Sequence, residues 1–213
     1  MLVLPLLVFV VAEGAWWFSA YRAAQAQQTE LVKTEVASLL RERAAGTLTP
    51  EYFSGPLTDA QQEVLRGMFA QIQSPRIIRM KVWSKDQVVL WSNLSEIIGQ
   101  RFPDNDEVKD AYDGEVVLAI EEQKAEHISE RQFTSLAEIY VPIQDAGGKT
   151  FGVLEIYEPS SVVDDPARAK VMPAAEAAAA VTLVAYALYA VWAVRSSRRG
   201  PPAAGKEASA GKA

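Results

Sequence analysis

Two apolar stretches at opposite ends of the chain enclose a charged middle, and this layout restricts the accessible folds more than any average over the chain. Residues 2–21 (LVLPLLVFVVAEGAWWFSAY) hold one charge, Glu13, and residues 171–194 (VMPAAEAAAAVTLVAYALYAVWAV) hold one, Glu176. A helix of about 20 such residues crosses the roughly 30 Å hydrocarbon core of a bilayer. Trp16, Trp17 and Tyr21 end the first stretch, and Tyr186, Tyr189 and Trp192 lie toward the far end of the second. Aromatic rings settle at such lipid–water boundaries. The sequence therefore predicts transmembrane helices at 2–21 and 171–194. A cleaved signal peptide is the competing reading of the first, with Ala24-Gln25-Ala26 as its small-residue site. No positive segment precedes the run, and the run is long for a signal, which favours an uncleaved anchor. Either reading puts the middle outside the cytoplasm.

Basic residues set the orientation. The tail, residues 195–213, carries five Lys/Arg against Glu207, whereas the middle has sixteen Lys/Arg against twenty-four Asp/Glu. The positive-inside rule places the tail in the cytoplasm and, with two spans, the N-terminus as well. Arg22 is a mild counter-signal that a folded domain of this length outweighs. The net charge of -6 argues against a nucleic-acid partner. The absence of cysteine excludes disulfides, thiolate metal sites and thiol nucleophiles, and the single histidine, His127, excludes multi-histidine metal sites.

The middle reads as an α+β domain. Residues 22–46 lack proline and continue the first span as a juxtamembrane helix ended by Gly46 and Pro50. Val32, Val36 and Leu39 form a short apolar stripe. A helix lying on its own domain needs this stripe, and so does a helix paired in a dimer. Thr58-Asp59-Ala60-Gln61 is a capping-box start for a helix running to about residue 72, before Pro75. The period then changes: 76–84 and 87–92 are strands around a Lys85-Asp86 turn, 94–105 is a loop, and 106–112 is a short helix closed by Asp113-Gly114. Strands follow at 115–121, 136–143 and 150–157, the last two joined by a turn at Asp145-Ala146-Gly147-Gly148. Five strands with hairpin-length turns give an antiparallel sheet with flanking helices.

A series of short phrases carries a resemblance. They are Lys81-Val82-Trp83 with Val88-Val89-Leu90-Trp91-Ser92, Ile98-Gly99-Gln100-Arg101-Phe102, Ala111-Tyr112-Asp113-Gly114-Glu115, Glu138-Ile139-Tyr140-Val141-Pro142-Ile143, and Phe151-Gly152-Val153-Leu154-Glu155-Ile156-Tyr157. In this order and spacing, over about residues 58–158, the chain resembles the PAS-like Cache (PDC-type) extracytoplasmic sensor domains of bacterial receptors of the histidine kinase and diguanylate cyclase type. Gln87 departs from the glycine common in the first hairpin of that family. The resemblance implies a PAS-like antiparallel five-stranded sheet whose open face, under a helix and a long loop, holds a small ligand.

The resemblance also locates candidate site residues. Relatives that sense dicarboxylates carry a basic residue three before a histidine after the second strand, and another basic residue two before an aromatic in the fourth. Here those positions are Leu90 and Asn93, and Glu138 and Tyr140, while Phe102 keeps the aromatic after the Gly99-Gln100 loop. Both cations and the histidine are missing. A dianion facing Glu138 without a compensating charge is costly. A neutral or cationic solute suits Asn93, Phe102, Glu138 and Tyr140 better, since carboxylates and aromatic faces both attract cations. In the alternative, Glu138 pairs with a strand neighbour such as Lys81 or Arg79 and no pocket exists.

Other features read as solvated surface. His127 lies in an acidic connector with Glu126 and Glu130, and residues 104–130 hold ten acids against Lys109 and Lys124. Too few ligand-type residues cluster there to make a metal site. Glu13 and Glu176 are single carboxylates in or at the edge of apolar spans, and Ala174/Ala178 and Ala175/Ala179 are small-xxx-small pairs. No nucleotide, nucleophile-elbow, zinc or kinase signature occurs. No enzyme activity, cofactor or metal is expected. The expected organisation is a span at 2–21, a juxtamembrane helix at 22–46, a Cache-like domain at 47–165, a span at 171–194 and a basic flexible cytoplasmic tail at 195–213. On this reading the tail is expected to leave no room for an output module. The expected partners are the lipid bilayer of the bacterial inner membrane, a small neutral or cationic solute, a second copy in a homodimer and a separate signalling output protein, as in a two-component system. The rival classes are a ligand-free interaction or scaffold protein of the envelope and the sensor half of a split sensor kinase.

Overall fold

The computed structural model describes residues 3–121 and 135–197. The chain divides into two units, one of Met1–Ala20 with Val171–Ala213 and one of Tyr21–Lys170. His127, Glu126, Glu130 and most of the basic tail lie outside the described residues.

The larger unit is built on an antiparallel five-stranded sheet in the order β2-β1-β5-β4-β3. Its strands are β1 (Arg79–Trp83), β2 (Val89–Ser92), β3 (Val117–Glu121), β4 (Leu136–Gln144) and β5 (Thr150–Pro159). The helices are α1 (Val3–Ala44), α2 (Asp59–Ile72), α3 (Asp106–Tyr112) and α4 (Ser161–Ser197), with 3-10 turns at Pro50–Phe53 and Ser95–Ile97. The α+β expectation and its strand pattern hold, with strand ends shifted by a few residues.

Local chemistry explains the boundaries. The capping box at α2 forms: Thr58 Oγ1 accepts from Gln61 N at 3.3 Å, and Gln61 Oε1 accepts from Thr58 N at 2.9 Å. Asn105 starts α3 by accepting from Val108 N at 2.8 Å. Gly99 and Gly114 turn the chain with φ of 83° and 105°, which only glycine adopts without strain. Gln87 sits at φ 60° in the first hairpin, so the chain takes a left-handed turn there at a residue other than glycine. With its amide turned to face them, Gln87 Nε2 donates to the carbonyls of Phe102 and Pro103 at 2.7 and 2.6 Å. That anchor offsets a strain of order 1 kcal/mol.

One face of the sheet is covered by α1 and α2. Met80 and Val82 of β1, Ile139 and Val141 of β4, and Leu154 and Ile156 of β5 join Val32, Val36 and Leu40 of α1 and Leu65, Met68, Phe69 and Ile72 of α2 in one core. The Val32/Val36 stripe is thus buried in its own domain. The opposite face has a second core of Trp83, Val89, Ile97, Val108, Ala111, Tyr140 and Val153, covered by α3 and the 95–97 turn. The outer edge of β2 is occupied by the loop that follows it: Gly99 N donates to Val89 O at 2.8 Å and Val89 N to Gln100 O at 3.0 Å. Covering an edge in this way prevents pairing with another chain. Pro142 falls past Tyr140, where β4 no longer pairs with β3, so its missing N–H breaks no ladder bond to that strand.

In the smaller unit, α4 is the one helix among the described residues that is long and apolar enough to cross a membrane by length and composition. Its Val181, Leu183, Val184 and Leu188 are exposed, as are Leu7, Val8, Phe9, Val10 and Val11 of α1. Thr182 of α4 donates a hydrogen bond to the Glu13 carboxylate of α1, which places the one charge of the 2–21 stretch on a polar partner.

Candidate functional site

Strand alternation puts every second residue on the α3 face of the sheet. Lys81 stands opposite Glu155, and Glu155 opposite Tyr140. In the next row Arg79 stands opposite Tyr157, and Tyr157 opposite Glu138. Four ionisable groups and two tyrosines therefore share one face with Trp83. Lys81, Glu138, Tyr140, Glu155 and Tyr157 are all fully buried.

They are bound to one another. Lys81 Nζ lies 3.4 Å from Glu155 Oε2 and donates to the Tyr157 hydroxyl. It also stands over the Tyr157 and Trp83 rings, 4.6 and 5.2 Å from their centroids. Trp83 Nε1 donates to Glu155 Oε2 at 2.6 Å. Tyr140 donates its hydroxyl to Glu138 Oε2 at 2.7 Å and accepts from Asn105 Nδ2 at 3.4 Å. Among the described residues, Glu155 Oε1 is buried with no hydrogen-bond donor.

Burial dominates the proton affinities. It pushes the Glu155 carboxyl up to about 7; the Lys81 ammonium opposes this and the Glu138 charge adds to it. Tyr140 is held well above its ordinary value by burial and then by the Glu155 and Glu138 charges. Tyr112, which donates to Trp83 O at 2.8 Å, is raised by burial and then by Asp86.

The structure brings three of the four candidate residues to this face. Glu138 and Tyr140 lie in the cluster, and the Phe102 ring meets Trp83 edge-on at 5.8 Å. Asn93 is exposed; it accepts from Met80 N at 2.9 Å and donates to Ile78 O at 3.3 Å, closing the open end of the β1–β2 hairpin. Sequence reasoning placed Lys81, Trp83, Glu155 and Tyr157 in the phrases that carry the resemblance but made none of them a site residue, and it considered Lys81 otherwise only as a neighbour of Glu138. Lys81 forms an ion pair with Glu155. The signal was present: Lys81 and Glu155 are charges inside mostly apolar strands, at the parity of the α3 face. A groove of about 880 Å³ lies elsewhere, between α1 and the start of β3, lined by Glu30, Lys33, Arg41 and Glu115 among others. Among the described residues, no group of three or more His, Asp or Glu is placed to hold a metal ion.

No family model matches the sequence, and no curated protein matches it. Solved structures similar to the chain include sensory and extracellular domains of bacterial proteins. The sensory domain of the Campylobacter jejuni chemoreceptor Tlp3 (CcmL), crystallised with isoleucine bound, aligns at 11% identity with a TM-score of 0.44 over 76% of this chain and 65% of that one. This chain thus spans slightly less than two thirds of that domain's length. The Escherichia coli DcuS sensor domain aligns at 18% identity and a TM-score of 0.43 over 68% of this chain and 97% of that one. The extracellular domain of the putative histidine kinase rpHK1S-Z16 aligns at 14% identity and a TM-score of 0.38 over 68% and 54%.

Proposed function

We propose that this chain is a membrane-anchored sensor of the Cache type. Residues 2–21 and 171–194 span the bacterial inner membrane, and residues 47–165 stand outside the cytoplasm. The α3 face takes a small neutral or cationic solute at Glu138, Tyr140 and Phe102, with Asn93 at the hairpin rim. α1 and α4, which lead from the sheet to the two spans, pass the signal to a separate output protein. Dimerisation through a second copy belongs to this proposal.

The observation that carries the reading is the buried charged row. Lys81, Glu138 and Glu155 are fully buried on one sheet face, and each buried ion costs several kcal/mol that an apolar side chain would not. A plain structural core gains nothing from that arrangement, whereas a binding face gains polar groups fixed in position. Two carboxylates on the face disfavour a dicarboxylate for the reason they disfavour each other. The mutual pairing of Lys81 with Glu155 and of Tyr140 with Glu138 supports a second reading, a ligand-free interaction protein that has kept the fold.

Thermal shifts of the full chain in detergent, measured against a panel of amines, neutral amphipathic solutes and dicarboxylates, separate the two. The expected outcome is a saturating shift with an amine or neutral solute, lost in Glu138→Gln, and none with succinate or citrate. Saturation by a dicarboxylate overturns the site assignment, and silence across the panel selects the ligand-free reading. The topology has its own check. A reporter fused after Ala213 is expected to read cytoplasmic and one inserted at Gly148, in the β4–β5 turn, extracytoplasmic. The reverse pattern sinks it.

A further inference from the structure

We propose that Glu138, Tyr140 and Glu155 form a proton-binding site, in which one proton held among the carboxylates of β4 and β5 sets the charge of the sensor face. The signalling consequence rests on the sensor reading; the proton site itself does not.

The geometry comes first. Tyr140 is directly opposite Glu155 and Glu138 directly opposite Tyr157, so the two carboxylates are diagonal neighbours on one face. Diagonal positions are about 7–8 Å apart, within reach of long side chains. The groups facing Glu155 are few. β1 supplies Lys81 and the Trp83 indole, with Arg79 in the adjoining row on the same face. β4 supplies Glu138 and Tyr140, and Tyr157 lies two residues on along β5. The elements covering this face contribute the uncharged Ile97, Val108 and Ala111, the neutral amide of Asn105 and the Tyr112 phenol of α3, which donates to Trp83 O and is held protonated by burial.

Counting donors shows why a proton belongs there. A tyrosine hydroxyl has one proton to give, and that of Tyr140 goes to Glu138. The Trp83 N–H goes to Glu155 Oε2, and Lys81 is shared between Glu155 and Tyr157. Glu155 Oε1 receives no donor among the described residues. A buried carboxylate oxygen without a donor is costly as an anion, and protonation relieves that cost. Burial, with Glu138 adding and Lys81 opposing, raises the Glu155 carboxyl to about 7. The site therefore changes charge near neutrality. Its readout is built in, because the Tyr140 hydroxyl also accepts from Asn105 Nδ2, and Asn105 Oδ1 caps α3.

The sign follows from linkage. The folded value, about 7, lies above the ordinary carboxyl value of 4.5, so between them the folded chain binds more protons than the unfolded chain. The stabilisation is complete below the unfolded value and is lost as pH rises through the folded one.

The test uses the full chain in detergent. The carboxylic-acid C=O band in the infrared is expected to titrate with a midpoint near 7 and to vanish in Glu155→Gln. The denaturation midpoint is expected to fall between about pH 6 and about pH 8 in the parent chain and to stay flat in Glu155→Gln. Tyr140→Phe removes a donor from the carboxylates and should move the infrared midpoint upward, which serves if Glu155→Gln does not fold. A band that titrates at the ordinary carboxyl value, survives Glu155→Gln, or is unmoved by Tyr140→Phe overturns the proposal. A negative solute panel overturns the ligand reading and leaves this titration standing.

Discussion

Lys81→Met is expected to destabilise the domain by about 3–5 kcal/mol, the range for removing one partner of a buried ion pair. Lys81 Nζ sits 3.4 Å from Glu155 in a fully buried environment, and methionine fills nearly the same volume without the charge. The loss is therefore electrostatic rather than a cavity effect. The chain has one escape, which is to protonate Glu155 and bury a neutral acid instead. The penalty is consequently expected to be larger at about pH 8 than at about pH 6, because the escape is more costly at higher pH. The double variant Lys81→Met/Glu155→Leu should recover much of the loss, since well-packed apolar side chains replace buried pairs at little cost. Denaturant melts of the two single variants and the double variant give the coupling directly. A single-variant loss no larger than about 0.5 kcal/mol, typical of a surface position, would show that the pair contributes nothing.

The periodicity that revealed the strands also concealed this cluster. Alternation in β1, β4 and β5 is legible because Met80, Val82, Ile139, Val141, Leu154 and Ile156 pack as one face. The capping box at Thr58 and the Asn105 cap are local, so a few residues of sequence decide them. Which charges meet depends on register between strands distant in sequence, and no local rule supplies it. Lys81 and Glu155 are 74 positions apart, yet they are direct partners in the β1–β5 ladder. Glu138 was visible as a charge in an apolar strand, but Tyr140 as its hydrogen-bond donor required the side-chain geometry. Asn93 illustrates the opposite case: its spacing after β2 matched a ligand position, while both ends of its amide bond the backbone at the hairpin mouth. The stripe on α1 was ambiguous for a physical reason, since burial against one's own sheet and burial against a second copy demand the same side chains. The structure shows the first.

Gly152→Ala is expected to destabilise the domain by about 1–3 kcal/mol, as overpacking a close-fitted core does, whereas Gly67→Ala is expected to stabilise it by up to about 1 kcal/mol. The substitutions are chemically identical, and the difference lies in what the new methyl meets. A Cβ on Gly152 would stand 2.2 Å from Phe53 Cδ1 and 2.3 Å from Phe53 Cε1, far inside van der Waals contact. Phe53 cannot easily withdraw. It is buried at the end of the Pro50–Phe53 turn and packs edge-on against Phe151 at 5.6 Å. Gly152 is also held in the ladder opposite Ile143 of β4, so the backbone has little room to retreat. Gly67 lies on the exposed side of α2 with nothing within 4 Å of its would-be Cβ, and there alanine only restricts the unfolded chain. If the clash with Phe53 is the cause, Gly152→Ala should cost far less in a Phe53→Ala background, where the ring is gone. Urea melts of the four variants in that cycle test this, because two residues in contact give a non-additive term that independent sites do not. Equal costs of Gly152→Ala in both backgrounds would remove Phe53 as the reason that a glycine stands in the middle of this strand.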